Sequence, residues 1–338
     1  MTSKSTLTIL SIDGGGIRGV VPLQLLCKLE QELRTSLNDK HFHLGSCFDV
    51  LSGTSTGAII TAGLSMPAAD GKSYAYDAAY VLKAYIDAGH KIFSASTWES
   101  FKSLGGLRAS KYSSRALEKY FDFFFKKKAM HELLNDNMIV AYDLENRSPF
   151  LFTGGKNFKN SPFQIKDALR ASTSAPIYFA PANIKDHNNV EYTLIDGGVV
   201  ANSSTLVLLQ YLLEHKFIDR NTELNWLSLG TGITPPSFSP ADLDGAFSWL
   251  FPMVDIMNSG AAMNVTEQTK IILENLFSNS KFVRINPSLQ ESSENLDDAS
   301  TENLKALQDS ALVYIDTHKN EWEALIQLLL KSINTTHA

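Results

Sequence analysis

A chain of 338 residues with 44% hydrophobic content carries enough apolar material to bury a sizeable core, and no linker-like stretch divides it, so it reads as one domain over residues 1–338. The formal charge of −6 and a single basic run at residues 126–128 argue against nucleic acid as a partner, because binding phosphates needs a concentrated basic surface. Two cysteines, Cys27 and Cys47, in apolar-patterned segments exclude a disulfide framework and a CxxC site, and no metal-ligand cluster stands out.

In chain order, a strand pattern at residues 6–12 runs into DGGGIRG at 13–19, and a helical pattern follows at 20–37. Strands are expected again at 48–52, 138–142, 192–195, 226–229 and 282–285. Helices are expected at 76–91, 113–125, 203–215, 257–277 and 301–331, the last one broken. Strands alternating with helices predict a three-layer α/β/α fold with a mostly parallel central sheet, a motif-bearing core at about 5–235 and a more helical part at about 240–338. Ligands bind beyond the carboxyl ends of the strands in such sheets.

Three glycine motifs fall at those strand ends. The run Gly14, Gly15, Gly16 can turn its backbone amides toward one point, because a residue without a Cβ adopts positive φ and permits close approach. In GTSTG, residues 53–57, Ser55 sits where a strand turns sharply into a helix and its hydroxyl is pushed outward. An oxyanion hole and a nucleophile elbow describe a serine hydrolase, with the Thr56 amide as a further oxyanion donor. Downstream, YTLIDGG at 192–198 ends a short strand in Asp196, a candidate general base able to reach the serine from the same edge of a parallel sheet. An aspartate with an ordinary value of about 3.9 is ionised near neutrality and is a weaker base than histidine, so proton transfer and attack are expected to be concerted.

The glycine and serine motifs also fit two other chemistries. Gly14, Gly16 and Gly19 also satisfy the dinucleotide fingerprint GxGxxG, but the ribose-binding acid expected some 20 positions on would have to end a second strand. Glu30, Glu32 and Asp39 fall in or just after a helical pattern instead. A Ser-acid-His triad would need a histidine after Asp196. His215 and His318 lie in helical patterns and His337 next to the chain end, so none fits.

On these motifs, in this order, the chain resembles the patatin-like phospholipases. FDVLSGTSTG at 48–57, ALRASTSAPIYFAP at 168–181 and LSLGTG at 227–232 carry the resemblance further. It implies a lipid acyl hydrolase of the phospholipase A or lysophospholipase type without a cofactor. The implied oxyanion amides are those of Gly14, Gly15 and Gly16, with the nucleophile at Ser55 and the base at Asp196. The implied partner is lipid at a membrane or micelle surface. A membrane-recruited effector or binding module with a silent or partner-activated site is the alternative, against which the intact catalytic residues argue.

Arg18 beside the glycine turn would hold a lipid phosphate or, the preferred reading, brace the loop against a carboxylate. The aromatic stretch at 246–257, interrupted by Pro252, reads as core, with a lid or interfacial face as the other reading. FDFFFKKK at 121–128 fits a membrane-surface segment and an ordinary amphipathic helix end equally well. The polar segments at 234–240 and 290–302 read as surface loops. No run of about 18 apolar residues is present, and the short apolar run after Lys4 is no signal peptide. A cytoplasmic protein with peripheral membrane association is the expectation, export without a cleaved signal remaining open.

Overall fold

The computed structural model describes residues 6–93, 110–233, 249–277, 279–289, 291–293 and 295–336. Eight strands form one sheet: β1 (Thr6–Ile12), β2 (Val50–Thr54), β3 (Asp136–Asp143), β4 (Ser148–Gly154), β5 (Ala182–Lys185), β6 (Glu191–Asp196), β7 (Glu223–Leu229) and β8 (Lys281–Ile285). Its central strands are apolar on both sides. In β1, Leu7 and Ile9 face one layer while Leu10 and Ile12 face the other; Val50, Met138 and Val140 join the first layer and Leu51, Ile139 and Ala141 the second. Strands buried on both faces therefore read as near-continuous apolar runs.

Helices cover both faces. They are α1 (Val20–Leu37), α2 (Thr56–Leu64), α3 (Ala78–Ile92), α4 (Arg115–Phe125), α5 (Ile165–Ser172), the short α6 (Gly198–Ala201), α7 (Thr205–Glu214), α8 (Leu250–Leu276), α9 (Thr301–Thr317) and α10 (Lys319–Thr336). Side chains of α1 to α5, α9 and α10 build one core, and those of α6, α7 and α8 the other. All nine residues of α2 are buried, as a helix without a charged residue and apolar on every side but for two threonines allows. The expected break near the C-terminus falls at His318, which caps α9.

The strand order is β5-β6-β3-β2-β1-β7-β8, with β4 paired to the remaining edge of β3. The pairs β1 with β2, β1 with β7, β2 with β3 and β7 with β8 are parallel, whereas β4 and β6 run antiparallel to β3. This corrects one expectation: Asp196 does not end a strand parallel to β2. Thr54 lies opposite Val140 of β3, and Asp196 lies opposite the next residue, Ala141. Because β4 fills the other edge of β3 from Asn137 to Asp143, β2 and β6 share one edge and meet with their C-terminal ends head to head.

Two strands went unread. β4 opens with Ser148-Pro149, a residue tolerated on an edge strand but a poor strand signal, and β5 is four residues long. α8 starts at Leu250 and carries Pro252 in its first turn, where the missing N–H is no loss. Trp249, Met253 and Ile256, the described side chains of that stretch, are exposed, which runs against the core reading for those three positions. Residues 246–248 and 234–240 lie outside the described residues.

One ion pair ties the sheet together at its carboxyl edge. Arg284 of β8 donates to Asp13, at the end of β1, through Nη1 at 3.1 Å and through Nη2, and to Ser228 Oγ at 2.9 Å. The two side chains are 15% and 4% exposed. Removing one partner of such a pair strands a charge and costs about 3–5 kcal/mol. Arg284→Met should therefore lose about 3 kcal/mol in urea unfolding, and adding Asp13→Asn should recover part of it. An unchanged midpoint for Arg284→Met would contradict the assignment.

Candidate active site

The chain leaving β1 makes a tight turn through three glycines, each closely packed by its neighbours. Gly14 N–H donates to the Asn202 carbonyl at 3.0 Å, and Gly14 C=O accepts from Thr231 Oγ1 at 2.9 Å. The Gly14 amide, expected among the oxyanion donors, is thus already engaged. A Cβ on Gly15 would lie 2.2 Å from Thr231 Oγ1. Gly16 has φ +54°, and a Cβ there would lie 2.2 Å from the Leu296 carbonyl oxygen. Its own carbonyl accepts from Thr56 Oγ1 at 2.8 Å and Tyr85 OH at 2.6 Å, so two buried hydroxyls aim the turn. The N–H groups of Gly15 and Gly16 donate to nothing among the described residues. Thr56 opens α2, where a first-turn N–H has no intrahelical acceptor.

Ser55 joins β2 to α2 with φ 55° and ψ −118°, a conformation that costs a non-glycine residue about 1–3 kcal/mol. The flanking glycines answer close packing. A Cβ on Gly53 would lie 2.2 Å from the Gly57 carbonyl carbon, and one on Gly57 would lie 2.1 Å from the Ile12 carbonyl oxygen. Ser55 N–H donates to Ser172 Oγ at 2.9 Å, which in turn donates to the Val140 carbonyl at 2.6 Å.

Asp196 is 5% exposed. Its N–H donates to the Ser174 carbonyl at 3.1 Å, and its Oδ1 accepts from Gly198 N–H at 2.7 Å. Burial pushes its carboxyl up from 3.8 to about 6, while the Ser55 hydroxyl and the Gly198 N–H draw it back toward the ionised form. The expected value near 3.9 is corrected accordingly: desolvation moves this carboxylate toward histidine's range. Ser172 ends α5 and Ser174 follows two residues later, so a single segment anchors the backbones of both Ser55 and Asp196. Arg170 locks that turn through Ser174 Oγ, the Ala180 carbonyl at 3.0 Å and Glu118 at 3.1 Å.

Gly15, Gly16, Ser55, Thr56 and Asp196 line one cleft enclosing about 930 Å³, open mouth included. The rest of its wall is mainly apolar, with Ile59, Ile92, Leu117, Tyr178 and Phe179. Leu296 closes it over Gly16, accepting from Ile17 N–H at 2.8 Å. The segment expected as a surface loop at 290–302 therefore supplies part of the cleft, pinned by Asp297 to Lys111 and to Tyr112 OH at 2.6 Å. Arg18 is buried and does not line the cleft, which favours bracing over phosphate binding.

Glu30 sits in mid-helix and accepts from the N–H groups of Leu44 at 2.7 Å and Ala78 at 2.9 Å, so it serves no ribose. No histidine lines the cleft among the described residues; His215 Nδ1 faces the Tyr211 carbonyl at 3.0 Å and His318 Nδ1 the Tyr314 carbonyl at 3.1 Å. His337 lies outside the described residues. Sequence reasoning passed over Tyr85, Asn202, Thr231 and Arg284. Ser172 and Thr231 carried a signal, inside the ALRASTSAPIYFAP and LSLGTG segments.

The family model for patatin-like phospholipase matches residues 10–209. Patatin-like protein 4 of Arabidopsis thaliana is 28% identical over 337 residues, covering 92% of this chain and 84% of the relative. Patatin-like protein 2 of Oryza sativa subsp. indica is 29% identical over 335 residues, covering 89% and 82%. Among solved structures, human GIVD cytosolic phospholipase A2 aligns with 11% identity and a TM-score of 0.46, over 97% of this chain and 60% of that one. No helix among the described residues is long and apolar enough to cross a membrane. With the family model spanning more than half of its length, the chain belongs to the patatin-like phospholipases, a family of lipid acyl hydrolases that act on lipid substrates.

Proposed function

We propose that this protein cleaves fatty-acyl esters of phospholipids or lysophospholipids, with Ser55 as nucleophile, Asp196 as general base, and the N–H groups of Gly15, Gly16 and Thr56 as oxyanion hole. The observation that carries this reading is the head-to-head meeting of β2 and β6, which brings a strained serine and a buried carboxylate to one apolar cleft beside unengaged amides. Ser55 Oγ attacks the ester carbonyl as Asp196 takes its proton. The carbonyl oxygen, now an anion, accepts from the glycine turn and the head of α2. Asp196 then gives the proton to the departing alcohol, leaving an acyl-serine. Water attacks that ester with Asp196 again as base, releasing the fatty acid and restoring Ser55.

The apolar wall suits the acyl chain, each buried methylene contributing about 0.8 kcal/mol. Asp196 without a histidine works here because desolvation raises its basicity, and proton transfer concerted with attack avoids a free alkoxide.

Ser55→Ala and Asp196→Asn are each expected to abolish hydrolysis of a soluble ester with circular dichroism unchanged, while His215→Asn, His318→Asn and His337→Asn keep most activity. A histidine variant as inactive as Asp196→Asn, with its fold intact, would overturn the dyad.

The pH dependence follows from the same carboxyl. Only ionised Asp196 accepts the proton, so kcat/KM should be flat above about pH 6 and fall about tenfold per unit below it. A midpoint near 4 would contradict a desolvated base. Gly16→Ala, which forces a Cβ against Leu296 at positive φ, should lower kcat by about two orders of magnitude, the scale of a lost oxyanion donor. Near wild-type kcat in a folded Gly16→Ala protein would place the hole elsewhere.

A further inference from the structure

We propose that the groove between α3 and α4 is a second binding site, separate from the cleft, for the carboxylate form of a long-chain fatty acid. The occupant's identity rests on the acyl-hydrolase reading above, since such hydrolysis releases this class of amphiphile. The groove encloses about 1250 Å³, open mouth included. Ala84, Ala88 and Ile92 form its α3 wall at four-residue spacing, and Tyr120, Phe123 and Phe124 its α4 wall. Phe123 is 70% exposed and Tyr80, at the far end, 45% exposed, so large aromatic surface stands uncovered along the groove. From Tyr80 to Ile92 the helix rises about 18 Å, a length suited to an extended acyl chain.

Charge decides what kind of apolar molecule fits. Lys83, Lys91 and Lys119 stand around the groove with Asp87 as the one acid, and none of the three lysines forms an ion pair among the described residues. The margin is net positive. An apolar trough with a cationic margin matches an amphiphile whose head is a single negative charge, and it offers a neutral ester or alcohol only the apolar half of the interaction. The aromatic half of the FDFFFKKK run lies here: Phe123 and Phe124 line the groove.

Ala88, Ile92 and Tyr120 line both the groove and the catalytic cleft. The wall between the two is one layer of side chains. An occupant of the groove would therefore touch side chains that also shape the acyl site.

The test uses diazirine-tagged palmitate as probe, on the full chain and on its Ser55→Ala variant, with labelled residues mapped by mass spectrometry. Labelling is expected at residues of the groove alone, Tyr80, Lys83, Phe123 and Phe124, in both proteins. Because the variant needs no turnover, failure of the hydrolase reading and failure of this proposal are distinguishable. Lys83→Glu with Lys119→Glu should lower groove labelling about fivefold or more while leaving labelling of Ile59 and Phe179 in the cleft unchanged. Diazirine-tagged hexadecanol should label the groove weakly. Labelling confined to the cleft, or equal groove labelling by the alcohol, would overturn the proposal. So would an absence of groove labelling together with co-sedimentation on phosphatidylserine vesicles that the double variant loses, which would make this face a membrane contact.

Discussion

One edge of β3 is divided between two strands that run toward each other, and the arrangement of the cleft follows from that division. β2 pairs with β3 as far as Val140, and β6 takes over at Ala141. Backbone hydrogen bonding therefore sets the distance between the end of β2 and the end of β6, with no loop conformation to adjust. The turn carrying Ser172 and Ser174 lies across this junction and binds both strand ends. On the other side, β1 delivers the glycine turn next to β2, at the carboxyl edge of the parallel strands where α/β sheets bind ligands. The proposed nucleophile, base and oxyanion donors thus derive from three strands whose mutual positions are fixed within one sheet, through the ladders β1 with β2, β2 with β3 and β3 with β6.

Such a site is held against local preferences. Ser55 sits at positive φ, and Asp196 is a carboxylate removed from water. Since burial raises the Asp196 value in the folded chain from 3.8 to about 6, the folded state holds a proton in that window that the unfolded chain has released. This group's contribution to stability therefore increases as pH falls through about 6. Above it the ionised form costs on the order of 3 kcal/mol. Packing around the junction offsets the cost: α2 is wholly buried, and the Asp13–Arg284 pair closes the same sheet edge.

What was legible in the sequence was whatever the backbone demands of single positions. Gly53 and Gly57 announce the elbow because the Ile12 and Gly57 carbonyls approach too closely for any Cβ. The apolar runs of β1, β2 and β7 announce buried strands for the same local reason. The direction of β6 was not legible, because a strand's orientation is set by its distant partner and leaves no trace in YTLID. Pro149 concealed β4, and brevity concealed β5. The engagement of the Gly14 amide by Asn202, and the hydroxyls of Tyr85 and Thr56 on Gly16, are contacts across 188, 69 and 40 positions. Nor could composition supply the basicity of Asp196, which is created by desolvation.

In the proposed mechanism the three N–H groups of Gly15, Gly16 and Thr56 face the oxyanion formed on Ser55 while Asp196 remains at the serine. A crystal structure of the protein phosphonylated by a long-chain fluorophosphonate tests this most directly, because the tetrahedral phosphonate reproduces the shape and charge of the intermediate. The expected result is phosphorus bonded to Ser55 Oγ, a phosphoryl oxygen about 3 Å from those amide nitrogens, and the alkyl chain lying against Ile59, Leu117 and Phe179. A phosphoryl oxygen turned toward solvent, or an adduct on any other side chain, would contradict it.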